Sequence, residues 1–463
     1  MRFSVDRTWR RPGNADTVVG GSPTRAFKLT SAGRGVVEAI ERGDDIPAGA
    51  TGLIERLVDA GAIHPLADPS LHALSADMIT AVIPVYLTES ADGSHLARLI
   101  GSLAGLGAII VVDDSSPLPL PTLAAEKTPV RVVRRDTNGG PGAARNTGLA
   151  NVDTSHVVFI DSDVDCRADD IVALGGWLVA AGAAAIAPRV ITDDDGSVLG
   201  AYEAARSPLD MGIRPARVRA GTRVGYVPAA VLLCEVAALR AVNGFDESMR
   251  TGEDVDLVWR LDAAGHRCRY EPSIDVRHRR RSSAVDVLRQ RMGYGESTAA
   301  LHRRHGAAVA PARGSVTSIS AWIALTLGHP IIAIVTALST ASMLARKLRF
   351  VPNAPREALR LAGMTHVQVG RNLASAVTRV WWPIALVLAL VSKRMRLALC
   401  AAALIPSLAE WWEKRPRLDP VRFTLLRIVD DAAYGTGVWR TALRERDAGA
   451  IVPTITFDGS RND

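Results

Sequence analysis

The sequence predicts an α/β fold, a mostly parallel sheet with helices on both faces, preceded by a small winged-helix-like module and followed by an apolar helical region. Three observations carry this expectation. From Ile79 onward, strand-like and helix-like runs alternate, as in parallel strands joined by crossover helices. The apolar runs that end before Asp113 and Asp161 open directly onto acidic residues, and ligands of open α/β sheets gather at such carboxyl ends. Past residue 310 the pattern turns apolar, and Val316 to Ala345 holds 30 residues without a formal charge.

Residues 1–77 read as a unit of their own. Arg25 to Leu29 is a short strand, and Thr30 or Ser31 can cap a helix that carries Val36, Val37 and Ile40. A second helix, roughly Thr51 to Ala60, puts Leu53, Ile54, Leu57 and Val58 on one face before Gly61 ends it. The domain expected over 78–310 starts with the strand Ala81 to Tyr86, which contains Pro84. A helix around Leu96 to Leu106 leads to a second strand, Ala108 to Val112, and then to Asp113 and Asp114. Val130 to Val133 is a third strand. The loop Asn138-Gly139-Gly140-Pro141-Gly142 follows, its glycines allowing close backbone approach to a ligand, and Arg145 lies about one turn into the next helix.

The fourth strand, His156 to Ile160, runs into Asp161, Asp163 and Asp165. Side chains alternate with period two, so Asp161 and Asp163 can point the same way. Paired carboxylates suit Mg²⁺ or Mn²⁺, which keep coordination positions for substrate phosphates. A solvated acidic loop would have the same letters.

Composition narrows the partners. The chain has 463 residues, 48% of them hydrophobic, enough for several cores, and a net charge of +7 drawn largely from arginines such as Arg277, Arg279, Arg280 and Arg281. An anionic partner fits, either lipid headgroups or a phosphorylated substrate. No stretch interleaves aromatic and basic residues as a nucleic-acid platform does, so nucleic acid is not expected. Cys166, Cys234, Cys268 and Cys400 form no CxxC pair, which argues against a zinc site and a disulfide framework. The first residues contain no apolar signal segment, so the catalytic part is expected in the cytoplasm.

Four motifs in order, VIPVY, VVDDSS, NGGPGAARNTG and FIDSDVD, resemble the family 2 glycosyltransferases of the GT-A fold over roughly residues 79–300. The family usually has Gly where Ser115 stands. The resemblance implies a nucleotide-sugar donor above the sheet, bound by Pro84, Tyr86, Asn138 and Gly139, with Asp113 or Asp114 and Arg145 at the base and ribose. Asp161 and Asp163 would hold a divalent metal on the diphosphate. His278, at the end of a later strand, stands where some members supply a third metal ligand, and Arg279 to Arg281 could neutralise the departing diphosphate.

The motif Gly252-Glu253-Asp254 opens a helix. Acidic residues are common there for dipole reasons alone, yet an acceptor hydroxyl needs a carboxylate to take its proton as the new bond forms. The resemblance makes Asp254, rather than Glu253, that base and implies inversion at the sugar carbon. Arg289 to Tyr294 lies where processive synthases carry Q-x-x-R-W, but Gly293 and Tyr294 do not match it.

For residues 311–463 the expectation is a membrane-associated helical region. Val380 to Ser392 and Leu397 to Ala409 are each 13 residues, short of the roughly 20 that a span requires. They are separated by Lys393-Arg394-Met395-Arg396 and bracketed by Trp381-Trp382 and Trp411-Trp412, as in an interfacial hairpin. An apolar subdomain covering the sheet is the alternative.

The first module resembles the PqqD-like peptide-recognition domains, which would allow a peptide or pathway protein as partner. The three parts together resemble the mycofactocin-system glycosyltransferases. That resemblance implies a UDP-sugar donor carrying glucose and the small redox acceptor premycofactocin, decorated with a β-linked oligosaccharide. A glycosyltransferase for a lipid-linked or cell-wall glycan and a non-catalytic peptide-binding scaffold are the two rivals.

Overall fold

The computed structural model describes residues 2–13, 16–46, 49–68, 74–279 and 283–456. The chain divides into two compact units: residues 1–11, 18–195 and 206–280 form the first, and residues 12–17, 196–205 and 281–463 the second.

The first unit begins with β1 (Phe3–Val5), β2 (Thr17–Gly20), β3 (Arg25–Lys28), α1 (Ser31–Arg42), α2 (Thr51–Asp59) and β4 (Ile63–Pro65). Thr30 is the N-cap of α1, its side chain accepting from the Gly33 N–H. Val37, Leu57 and Ile63 fill the core of this module. Its attachment to the sheet domain is polar and buried. His64 bonds Asp6 at 3.0 Å and Arg269 at 3.0 Å, while Arg223 donates to Asp6 at 3.0 Å. Burial lowers the His64 pKa, and Asp6 lies below the usual carboxylate range because His64 and Arg223 overcome the cost of its burial.

The sheet domain continues through β5 (Ile79–Val85), α3 (Ser90–Ser102), β6 (Ala108–Asp113), β7 (Val130–Arg134), α4 (Pro141–Leu149), β8 (His156–Ile160), β9 (Val164–Asp165), α5 (Ala168–Ala181) and β10 (Ala185–Thr192). Past α6 (Val198–Arg206), which belongs with the second unit, come β11 (Ala216–Arg217), β12 (Val231–Glu235), α7 (Val236–Ala241), α8 (Glu253–Ala263) and β13 (Cys268–His278). The sheet has nine strands in the order β11-β13-β10-β12-β8-β5-β6-β7, with β9 on the side of β13. β8, β5, β6 and β7 are mutually parallel, whereas β12 runs antiparallel between β8 and β10. This is the mostly parallel α/β class the sequence predicts, a GT-A fold. Strand residues alternate faces: Ile83, Val111 and Ile160 pack on one side with α3 and α5, and Val82, Val112 and Phe159 on the other with α4 and α8.

Helix α4 lies against β5 closely enough to require a glycine. A Cβ at Gly148 would stand 2.2 Å from a Val82 methyl, and valine has little rotamer freedom with which to yield. Gly148→Ala is expected to destabilise the protein by about 1–3 kcal/mol, measured as a lower denaturant midpoint at unchanged slope.

The second unit is helical: α9 (Ala284–His305), α10 (Val316–Thr326), α11 (Pro330–Lys347), α12 (Ala354–Arg379), α13 (Trp382–Val391), α14 (Lys393–Lys414) and α15 (Pro420–Glu445), with β14 (Arg313–Ser315) and β15 (Thr454–Thr456) paired. Packing puts α9 here, although the sequence boundary was expected at residue 310. The reason is a buried ionic cluster: Arg291 of α9 donates to Asp430 of α15 at 2.7 Å, and Asp430 also accepts from Tyr202 of α6 at 2.8 Å. The uncharged run from Val316 is broken at Leu327–His329. Among the described residues no single helix is long and apolar enough to cross a membrane; α12 and α13 reach that length and composition only as a pair bent by 89°.

Candidate active site

The parallel strands β5, β6 and β8 deliver Tyr86, Asp113 and Asp161 to one edge of the sheet. On the β6 side, both acidic residues are turned into the protein. Asp113 accepts from the Ser116 N–H at 2.8 Å and from Arg134, and Asp114 accepts from the N–H groups of Gly139 and Gly140 at 3.0 and 2.7 Å and from Arg135 at 2.9 Å. Asp114 therefore shapes the glycine loop from within, and Asp113 holds the turn after β6. Gly139 is fixed by crowding, since a Cβ there would meet the Arg135 guanidinium at 2.6 Å and Ala143 at 2.9 Å. Asn138 is held by Arg250 through its side chain and its carbonyl. Pro84 is partly exposed and Tyr86 is 50% exposed, so the Tyr86 ring is the open aromatic surface at this edge.

Arg145 is the hub. It projects from α4 into the protein, where Nη1 donates to Glu253 at 2.7 Å and Nη2 to Asp161 at 2.6 Å. Its guanidinium stands 5.3 Å from the Phe245 ring centroid, and Phe245 in turn meets Phe159 edge-on at 5.0 Å. With 3% of its surface exposed, Arg145 joins the acidic end of β8 to the start of α8 instead of reaching outward to a base or ribose.

Asp254 is tied to the same place. Its Oδ2 accepts from the Ala229 N–H at 3.3 Å, and the neighbouring Ala230 carbonyl accepts the Asp161 N–H at 2.9 Å. The turn that leads into β12 thus brings the two acidic motifs to adjacent residues. Gly252, at φ +80°, makes the left-handed turn into α8. Asp256 pairs with Arg260 at 2.7 Å, and Arg260 donates to the Gly244 carbonyl at 2.7 Å, holding the preceding turn. Burial pushes Asp161 and Asp254 above the usual carboxylate range against the pull of Arg145. Burial, with the Asp254 charge beside it, pushes Glu253 up to about 7.

That shift has a sign. Between the ordinary glutamate range and pH 7 the folded chain keeps a proton on Glu253 that the unfolded chain has lost, so Glu253 contributes a loss of stability as pH rises through this window. Glu253→Gln is expected to remove that slope, read as melting temperature against pH.

His278, expected as a third metal ligand, stands beside Asp163. β13 pairs antiparallel with β9, setting His278 opposite Val164, and His278 Nε2 lies 3.3 Å from Asp163 Oδ2. Arg279 donates its backbone N–H to the Asp163 carbonyl at 2.9 Å; Arg280 and Arg281 lie outside the described residues. A carboxylate and an imidazole that converge while 45% of the Asp163 side chain remains open suit a divalent ion completed by substrate phosphates. Asp161 has already committed one oxygen to Arg145. Among the described residues no three His, Cys, Asp or Glu side chains are grouped so as to hold a metal ion by themselves.

The profile of Glycosyl transferase family 2 matches residues 80–235. The Pre-mycofactocin glycosyltransferase of Mycobacterium tuberculosis is 37% identical over 466 residues, covering 97% of each chain. The chain belongs to the pre-mycofactocin branch of glycosyl transferase family 2. A second relative of this glycosyltransferase, the N-acetylglucosaminyl-diphospho-decaprenol L-rhamnosyltransferase of the same organism, is 30% identical over 44% of this chain and 78% of its own. Among solved structures, Mannosyltransferase PcManGT from Pyrobaculum calidifontis in complex with GDP-Man and Mn2+ aligns over 65% of this glycosyltransferase and 89% of its own chain, at 14% identity and a TM-score of 0.39.

Sequence reasoning missed Ala229 and Ala230, whose contribution is made by backbone alone and leaves no mark in the letters. It also missed Arg250 and Phe245. Phe245 lies inside the turn Asn243-Gly244-Phe245-Asp246, whose letters mark a turn and not a ring against Arg145.

Proposed function

We propose that this enzyme transfers a hexose, glucose in the first instance, from a UDP-sugar to premycofactocin with inversion, and that Asp254 is the base. The observation that carries the chemistry is the anchoring of Asp161, through its backbone N–H, and of Asp254, through its carboxylate, on consecutive residues, Ala230 and Ala229. It puts a carboxylate for the acceptor hydroxyl next to the acidic end of β8. The acceptor comes from the 37% identical relative that covers the chain end to end.

In this reading the donor lies at the edge formed by Pro84, Tyr86, Asp113, Asp114, Asn138 and Gly139. Asp163 and His278, with the free oxygen of Asp161, would hold Mg²⁺ or Mn²⁺. Such an ion, when bound, neutralises the diphosphate as it leaves. Asp254 removes the acceptor proton as the hydroxyl oxygen bonds to the anomeric carbon and the bond to the diphosphate breaks, so an α-linked donor yields a β-linked product. Arg145 keeps Asp161 oriented throughout. Further rounds on the new terminal hydroxyl would build an oligosaccharide.

We place the apolar helical unit at the cell membrane, with the catalytic unit on the cytoplasmic side, and the N-terminal module as a candidate docking site for a peptide or pathway protein. A lipid-linked acceptor is the second reading, favoured by the apolar surface of the helical unit and by the polyprenol-directed relative. Purified enzyme, UDP-glucose, Mn²⁺ and premycofactocin, followed by mass spectrometry, test the assignment. A ladder of hexose additions that disappears on chelation is expected. Transfer only to a polyprenyl diphosphate acceptor would overturn the acceptor, and undiminished transfer after complete metal removal would overturn the metal role.

A further inference from the structure

The helical unit exposes aliphatic side chains in a register that its own packing leaves uncovered. On α11, Ile331, Ile334, Val335 and Leu338 follow the i, i+3, i+4, i+7 spacing of one helix face, and all are exposed, Ile331 at 76%. At the end of α13, Leu390 and Val391 are 80% and 81% exposed. On α14, Leu397, Leu404, Ile405, Leu408 and Trp412 make a second exposed stripe. Aliphatic side chains exposed in helical register in this way mark an interaction surface.

Fixed cations stand beside these stripes. Arg394 donates to the Leu327 carbonyl, bringing the start of α14 alongside the turn that opens α11. Arg396 donates to the Ala389 carbonyl at 2.9 Å and so closes the end of α13 just before Leu390 and Val391. Each guanidinium caps carbonyls at a helix end, and both remain exposed, as does Lys393. At the other end of α11 stand Arg346, Lys347 and Arg349, also exposed. The α11 stripe therefore has basic groups at both ends. An 18-residue helix rises only about 27 Å, less than the roughly 30 Å hydrocarbon core, which suits lying in the interface better than crossing it.

We infer that the α11, α13 and α14 stripes seat this enzyme in the plane of one phospholipid leaflet, with the aliphatic side chains at the headgroup and acyl boundary and Lys393, Arg394, Arg396, Arg346 and Lys347 on anionic headgroups. The inference rests on the membrane association proposed above and adds its mode and its lipid. Apolar burial supplies the adhesion, and each basic residue near an anionic surface adds to it.

The test is flotation of the purified full chain with vesicles of phosphatidylcholine alone or with about a third phosphatidylglycerol. Binding should be at least about tenfold tighter to the anionic vesicles and should fall about tenfold for K393E/R346E. It should be largely lost for L390D/V391D, with melting temperature and donor hydrolysis in solution unchanged, since both side chains are already in solvent. Equal binding to both vesicle types would overturn the lipid selectivity. Unchanged binding of L390D/V391D would overturn the face, and resistance of the cellular protein to alkaline carbonate extraction would overturn the in-plane mode. An active wild-type enzyme that floats with neither vesicle would defeat membrane association itself. If that enzyme were a dimer dispersed by L390D/V391D, the stripes would instead belong to a second copy of the chain.

Discussion

Asp254→Asn is expected to reduce kcat by roughly 10²–10⁴-fold, the usual contribution of a positioned general base, while donor KM stays within about twofold. The asparagine keeps the size of the side chain and, through its amide oxygen, one of the two N–H groups that Asp254 accepts, Val255 at 2.8 Å or Ala229 at 3.3 Å, so the fold should be retained. What it cannot do is take a proton from the acceptor hydroxyl. Steady-state kinetics with saturating acceptor, together with donor binding by calorimetry, separates the two effects. A kcat within threefold of wild type would assign the base elsewhere, with Glu253 the next carboxylate in line.

Arg145→Gln is expected to be more damaging to the protein as a whole. The guanidinium is buried and divides its two terminal nitrogens between Glu253 and Asp161, and removing it leaves two carboxylates in a low-dielectric pocket without their counter-charge. Breaking a buried pair from one side costs about 3–5 kcal/mol, and transfer should fall at least about 100-fold as Asp161 loses its orientation. Arg145→Lys keeps the charge but not the planar fork, so it should recover part of the stability and little of the rate. Because Arg145 and Glu253 share one interaction, the stability losses of Arg145→Gln and Glu253→Gln should add to more than the loss of the double variant. If Arg145 bound the nucleotide directly, donor affinity would fall while stability held, the opposite division.

The sheet was legible because its signal is local. Runs such as AVIPV and HVVFI have the length and composition of buried strands, and the acidic pairs behind them mark their carboxyl ends. Asp161, Asp163, Asp254 and His278 were singled out by their motifs, and the β9 to β13 pairing brings the last of them to Asp163. Arg145 was found but aimed wrongly: one helical turn past a glycine loop, it could point outward or inward, and only the distant Glu253 decides. Asp113 and Asp114 likewise gave their place but not the partners that turn them inward. α9, read with the sheet domain before residue 310, carries little apolar pattern of its own and packs in the second unit through Arg291 and Asp430, which are 139 residues apart. Long-range ionic partners of that kind leave no periodicity to read.

The central claim is that Asp254, beside the Asp161–Arg145–Glu253 linkage, drives a single in-line displacement on the donor. The measurement that tests it most directly is proton NMR of the first glycosylated product made from α-linked UDP-glucose, read at the anomeric signal before equilibration. A β-anomer in the wild type, formed at least about 100-fold more slowly by Asp254→Asn, is the result expected. An α-anomer would mean that the configuration is retained and would contradict the assignment of Asp254 as the base of one displacement.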